Sequence, residues 1–476
     1  MRKSTKATMA ILAVLCLCVG IFAGCTGPDS GGGTAPATQG GGTVKILSPL
    51  TGGKDDEEMR LFEAALFEAT GLTVSVERPP ADYNQLLMQK LQAGERYDLI
   101  YIGMDQYKEL VAQGALTDLT EWVESSEIYQ NNIDPQEIED IRIDGRIYAG
   151  FNKLELHRVV GLNRIMLEAA GINYREIEPT LDGYYAVMKA LKESNPDPDF
   201  YPLNAVIWET WDLQPWMAAV GLKNGPILDV DGQTYASFAQ DEAAPVWEWF
   251  KMLYQEGLLD PGSFVDTASD MRAKMGAASG QTAITVDWAM WVGIHNANAE
   301  ADGVTVDEFD IVSLPGVRTP DGSHMLVKGY PSLFGIPINA ENPEGAKAIL
   351  EFFATQEGGE LLSVGIEGHD FEIVDGQHVL TDIGRAHAND HGAPRPIYRD
   401  FVHPIGYNRG VEEAMEFLRY ATIDHAIAGS DTEFRRTQGK WYVQIIRGDI
   451  DVLEGLAACR QEVVALGFVD KEEPIR

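Results

Sequence analysis

The chain has 476 residues, 45% of them hydrophobic, with 73 acidic residues against 37 lysines and arginines and a formal net charge of −36. That acidity excludes a nucleic-acid partner and disfavours anionic membrane surfaces, since both repel a polyanion. The length provides for a large core and sets an expectation of two or three domains.

Arg2, Lys3 and Lys6 precede an apolar run from Met9 to Phe22, which is too short for a typical spanning helix. Phe22-Ala23-Gly24-Cys25 follows and resembles a bacterial lipobox, with Phe22 where that pattern prefers leucine. It implies that 1–24 is a lipoprotein signal peptide and that the Cys25 thiol is acylated; the alternative is an ordinary secretory signal. Residues 25–43 are rich in Gly, Ser, Thr and Pro and read as a flexible tether spanning roughly 20–25 Å root-mean-square. Cys16 and Cys18 leave with the signal, so Cys459 is the one thiol left besides Cys25. A disulfide framework and a cysteine-based metal site are thereby excluded, and the apolar setting of Cys459 reads as core.

The folded part opens with a strand from Val44 to Leu50. Asp55, Asp56, Glu57 and Glu58 make an acidic first turn for a helix whose inner stripe is Met59, Phe62, Leu66 and Ala69, ended by Gly71. Leu72 to Glu77 and Asp98 to Ile102 read as strands, separated by a helix that Asp82 caps. This alternation predicts βαβ units and a mostly parallel sheet. Further on, His157 to Leu162 and Phe309 to Leu314 read as strands; Asn163–Ala170, Leu181–Lys192 and Asp241–Glu256 read as helices. Asn342-Pro343 is an N-cap and first-turn pair, and the last 60 residues look helical.

The stretch Ser279 to Trp291 is the strongest site candidate. Thr282 to Val286 reads as a buried strand, Asp287 as an N-cap, and Trp288 to Trp291 as the first turn of a helix. Ligands bind outside the carboxyl ends of strands in open α/β sheets. There a carboxylate can accept sugar hydroxyls, and the indoles of Trp288 and Trp291 can cover apolar sugar faces. The same composition also suits a strand–helix junction whose indoles are core. Trp208, Trp211 and Trp216 lie in a segment without clean periodicity, which points to a loop near a ligand or to packing. Tyr83 and Tyr330 carry the same two readings. Asn152, Lys153 and Glu155 precede the 157–162 strand; Lys153 would pair with a substrate carboxylate or with Glu155. His387 and His391 have the i, i+4 spacing of zinc ligands, but Gly384 and Gly392 bracket them and no glutamate follows the first histidine, so no metal site is expected there. Asp229-Val230-Asp231-Gly232 is a turn and not an EF-hand. No nucleophile elbow, P-loop or dinucleotide fingerprint is present.

Several blocks, taken in order, resemble the family-1 extracellular solute-binding proteins, the lipoprotein receptors of ABC importers, in the branch related to alginate-oligosaccharide binders. They include Tyr97-Asp98-Leu99-Ile100-Tyr101-Ile102, Gly114-Ala115-Leu116-Thr117-Asp118-Leu119, Asp144-Gly145-Arg146-Ile147-Tyr148-Ala149, Glu256-Gly257-Leu258-Leu259-Asp260-Pro261 and the 280–291 stretch. The resemblance implies a two-lobed periplasmic-binding type II fold, each lobe a mostly parallel sheet flanked by helices, joined by crossing strands near 157–162 and 309–314. Lobe one would comprise 44–156 and 309–358, lobe two 157–308 and 359–476. It also implies an oligosaccharide ligand, an ABC permease as partner, no catalytic role and no cofactor. The chain would be a monomer on the outer face of the cytoplasmic membrane, of the Gram-positive type, or on the periplasmic face in a Gram-negative cell. A receptor for a peptide or other solute on the same fold, and a secreted polysaccharide-active enzyme, are the alternatives. Relatives often carry a calcium loop where this chain has Asn195-Pro196-Asp197-Pro198-Asp199-Phe200-Tyr201-Pro202-Leu203. The glycine and the terminal Asp-Glu of that loop are missing, so six to eight oxygen ligands are not expected to converge.

Overall fold

The structure, a computed structural model, describes residues 42–49, 55–79, 83–228, 232–387, 395–423 and 431–475. The signal peptide, Cys25, nearly all of the tether, the turn at Asp229–Asp231 and His391 lie outside the described residues.

The first helix, Asp56–Thr70, forms for the reasons its sequence supplies. Asp55 and Glu58 make a reciprocal capping box, and Gly71 ends the helix in the left-handed region at φ 71°. Met59, Phe62 and Leu66 face inward against the strands Thr43–Leu47 and Leu99–Ile102. Asp98 fastens this lobe: its buried carboxylate accepts from the backbone N–H of Lys45 at 2.8 Å, Glu341 at 2.9 Å and Asn342 at 2.6 Å. One side chain thereby ties two strands to the start of the Pro343–Phe353 helix.

The first lobe holds a five-stranded sheet in the order Thr73–Glu77, Thr43–Leu47, Leu99–Ile102, Ser332–Gly335, Ala149–Lys153. The first three pair in parallel. Ser332–Gly335 is antiparallel to both its neighbours, because it carries the chain back from the second lobe and enters at the end where the others leave. In the second lobe, Arg158–Asn163 lies between Ile284–Trp288 and Ile311–Leu314 and is antiparallel to both. Mostly parallel pairing thus holds for three strands of the first lobe, whereas the three-stranded sheet of the second lobe is antiparallel throughout, contrary to the expectation of a mostly parallel sheet in each lobe.

The three-stranded sheet is buried on both faces. Val160, Leu162, Ile284 and Val286 join the large second-lobe core with Trp216, Trp247 and Phe250. Val159 and Ile311 turn to the other face and pack with Met290, Val292, Val411 and Ala414. Chain passes between the two lobe cores after Leu154, between Val317 and Leu333, and after Ile397. Two expected boundaries therefore move. Phe309 to Val317 stays with the second lobe because the 311–314 strand pairs in its sheet, and Leu361, Leu362, Ile366 and Ile397 remain in the first-lobe core beyond residue 358.

His157 sits at the first crossing. It is wholly buried, and its Nε2–H donates to the Ala414 carbonyl at 2.9 Å while Nδ1 finds no partner among the described residues. Burial pushes its pKa down to about 4 from 6.5, with the charge of Arg395 acting in the same direction and the Ala414 bond opposing it. The unfolded chain therefore binds the extra proton first, and the stability contributed by the neutral ring is lost as pH falls from 6.5 toward 4. His157→Gln should flatten the fall of unfolding free energy over that window by up to about 1.4 kcal/mol per pH unit. Urea denaturation at several pH values measures this, and an unchanged slope would count against the assignment.

Candidate functional site

A cleft of about 310 Å³ lies where the lobes meet. The first lobe contributes Tyr101, Asp105 and Gln106, at and just beyond the carboxyl end of the Leu99–Ile102 strand. Glu155 and Tyr330 come from the crossing segments, and Trp211, Trp288, Asp431 and Arg435 from the second lobe.

The second-lobe wall is a ladder of guanidinium groups and indoles. Arg158 lies 4.6 Å from the Trp288 ring centre and 5.3 Å from that of Trp211; Arg435 lies 4.0 Å from Trp211. Each such contact is worth about 0.5–2 kcal/mol, more as water is excluded. Both cations carry their own counterions. Arg158 pairs with Asp212, which is fully buried and also accepts from the Val206 N–H at 2.7 Å. Arg435 Nε donates to Asp431 Oδ2 at 2.8 Å, four residues back on the Asp431–Arg447 helix. Gly439 lets that helix approach, since a Cβ there would stand 2.0 Å from the Trp208 carbonyl oxygen. Burial pushes the Asp212 carboxyl up to about 7 against the opposing pull of Arg158.

The proposed site residues divide among several places. Trp288, Trp211 and Tyr330 line the cleft. Asp287 does not: the strand runs on through Trp288, so Asp287 is a strand residue and caps no helix. Its carboxylate takes the Arg272 fork at 2.6 and 2.8 Å, which leaves it little freedom to accept a ligand hydroxyl. Trp291 lies under Arg272, 4.0 Å from the guanidinium, on a different groove. Trp208 donates to the Asp266 carbonyl at 2.8 Å, and Trp216 is core between Tyr184 and Trp249. Tyr83 stands behind Tyr101, its hydroxyl 2.9 Å from the Leu47 carbonyl and 2.8 Å from that of Tyr101. Asn152 is buried in its strand. Lys153 Nζ is 3.3 Å from Glu155, so of the two it is Glu155 that faces the cleft.

Arg158, Asp431, Arg435, Asp105 and Gln106 were not singled out from sequence. Arg158 had a signal, a lone arginine heading the otherwise uncharged strand RVVGLN. Asp105 and Gln106 follow the carboxyl end of a parallel strand, the position the strand-end rule marks.

His387 Nδ1 is 2.8 Å from Asp370 and its Nε2 is 3.3 Å from Glu58; no cluster suited to a metal occurs among the described residues. In the 195–203 loop, Asp197 accepts from the Asp199 N–H, and the Lys192 ammonium donates to the Phe200 carbonyl and lies 5.0 Å over Tyr201.

With the geometry in place, comparison with known proteins is decisive for the family. The model of the bacterial extracellular solute-binding protein family matches residues 52–360. The chain belongs to this family. It is 26% identical over 383 residues to Lipoprotein LipO of Bacillus subtilis strain 168, across 75% of this chain and 72% of that one. Among solved structures, the fold is similar to that of the ABC substrate-binding protein Lmo0181 from Listeria monocytogenes in complex with cycloalternan, at TM-score 0.64 and 13% identity over 89% of this chain and 98% of that one. The sugar-binding protein MalE from Xanthomonas citri is similar at TM-score 0.64 and 15% identity, covering 89% and 97%. The fold is thus the type II periplasmic-binding architecture, and members of the family are binding proteins.

Removing Arg158 would leave Asp212 buried without its partner, a loss of about 3–5 kcal/mol while the carboxylate is charged. Because burial already holds Asp212 near 7, the folded Arg158→Met variant can take up a proton there, so its stability falls as pH rises. The penalty should be clearly smaller at pH 6 than at pH 8 in urea unfolding. An equal cost at both would mean that the pair is not what holds the wall.

Proposed function

We propose that this protein captures a neutral oligosaccharide in the interlobe cleft and hands it to an ABC permease, whose ATPase supplies the energy. The observation that carries this is the half-buried Trp288, backed by Arg158, facing a cleft that also holds Tyr101, Tyr330 and the polar groups of Asp105, Gln106 and Glu155. An indole covers the apolar face of a pyranose, and the polar groups match its hydroxyls. Among the described lining residues, Asp105, Glu155 and Asp431 outnumber the one cation, Arg435, which Asp431 already engages. Such a lining favours an uncharged sugar over a uronate. The chain binds without turning its ligand over and works as a monomer. The crossings after Leu154, between Val317 and Leu333 and after Ile397 are the hinge, and closure of the lobes encloses the sugar.

Two experiments test this. In a thermal-shift screen against neutral and uronate oligosaccharides, a neutral one should raise the melting point, since a ligand of the native state stabilises it. Calorimetry on the hit should show Trp288→Ala weakened about tenfold or more, because stacking buries roughly 60–80 Å² worth about 1.5–2 kcal/mol. If no saccharide of either kind shifts melting and a peptide pool does, the sugar reading falls to the peptide-receptor alternative. Unchanged affinity in Trp288→Ala would move the stacking face elsewhere in the cleft.

The anchor is the second part of the proposal. Acylation of Cys25 holds the protein at the outer face of the cytoplasmic membrane, a diacylated cysteine being enough for stable attachment. The tether then lets the lobes move above the surface. Cys25→Ala should appear in the medium or periplasm; retention in carbonate-washed membranes would refute the anchor.

A further inference from the structure

The groove that holds Trp291 lies outside the cleft and is not used by the function above. It runs between the helices Ala268–Met275 and Ala289–Ala301 and encloses about 420 Å³, within the ~300–1,000 Å³ range of small-molecule sites. On one wall Trp291, His295, Asn298 and Asp302 recur at spacings of four, three and four, one face of a helix. On the other, Ala273 and Gly276 keep the gap open.

His295 is the telling residue. It is 8% exposed, and among the described residues no protein hydrogen bond reaches its ring; its neighbours are the Trp291 ring at 5.5 Å and the charges of Asp287 and Arg272. The ring nitrogens are open to the groove, where water or a ligand can meet them. Burial pushes its pKa down to about 4, so near neutral pH the ring is uncharged and offers one donor and one acceptor. Asp287 takes two of the five N–H donors of Arg272 and balances its charge, and the guanidinium face lies on Trp291, which makes Arg272 a poor anion receptor here. Asp302 adds a negative charge.

We infer that this groove is a second saccharide site, taking a neutral mono- or disaccharide whose ring lies along Trp291 and whose hydroxyls meet His295, Asn298 and Asp302. An aromatic surface with uncharged donors and acceptors suits a polyhydroxylated ring, whereas an anion would meet the Asp302 carboxylate and a guanidinium whose charge Asp287 already balances. The site is independent of the cleft in composition, although Asp287 and Trp288 make the 284–288 strand end common to both.

The test uses the whole protein labelled with 5-fluorotryptophan, in which the indoles resolve by fluorine NMR and are assigned by Trp→Phe variants. The probes are glucose, maltose and cellobiose, with glycerol as the control. The Trp291 resonance should shift and saturate at about 1–10 mM sugar, as a weak surface site would. The shift should persist in Trp288→Ala and weaken at least about tenfold in Ala273→Leu, which fills the groove from an exposed position, and in Asn298→Ala. No shift with any of the three sugars, a shift with glycerol of the same size, or a shift that vanishes in Trp288→Ala would overturn the inference. The last of these would mean that Trp291 reports cleft binding alone, which leaves the cleft proposal intact.

Discussion

A guanidinium that is 7% exposed at the head of an apolar strand is stable only if a counterion meets its charge and something covers its faces. Asp212 does the first and the indoles of Trp211 and Trp288 do the second. The arrangement works both ways. The indoles fix where the charge sits, and the charge holds each indole at a defined angle to the cleft. Asp212 is drawn from the turn after Ile207–Glu209, where Thr210 takes the left-handed conformation at φ 61°, so a strained loop is held in place by the same ion pair. The Asp431–Arg447 helix then packs on that turn through Gly439 and brings Arg435 to Trp211. Segments more than 200 residues apart in sequence thus meet on one wall because each supplies a charge or a face the others require.

The direction of the strands follows from the same geometry. Arg158–Asn163 leaves the crossing and runs away from the cleft, so its first residue, Arg158, stands at the mouth. Its partner strand runs toward the cleft, and register pairs Arg158 with Trp288 at its carboxyl end. Antiparallel pairing therefore places a cation and an indole side by side at the interlobe surface. A parallel pair would have put the start of one strand beside the start of the other, and Arg158 would have met Ile284 instead.

Much of this was legible from the chain. The capping box at Asp55, the stop at Gly71 and the Asn342-Pro343 helix start depend on neighbours within a few residues, and local chemistry is what a sequence displays. The family resemblance supplied the two-lobed fold, while the strands it gave as crossings, near 157–162 and 309–314, pair with each other inside the second lobe. What stayed hidden depends on distant contacts. Whether Trp216 is core or ligand-facing is decided by Tyr184 and Trp249, residues about thirty positions away on either side. The availability of Lys153 is decided by Glu155, two positions on along the same strand line, and Arg435 gains its role only once a helix near the end of the chain packs on a turn near its middle.

The stretch from Asp287 to Trp291 shows how much one residue of strand length decides. Successive side chains in a strand point to opposite faces. Had the strand ended at Val286 with Asp287 as a cap, Asp287 and Trp288 could have turned together into the cleft, and Trp291 would have followed Trp288 on one helical face. The strand instead runs to Trp288, and the helix begins at Ala289. Asp287 and Trp288 are then forced apart: the carboxylate goes to Arg272 and the indole to the cleft. Trp291, counted from a helix that starts later, turns toward Arg272 as well and lands in the neighbouring groove. The carboxylate and the two indoles singled out from the sequence are assigned by the alternation of the strand to two surfaces, with the Arg272–Asp287 pair as the partition between them.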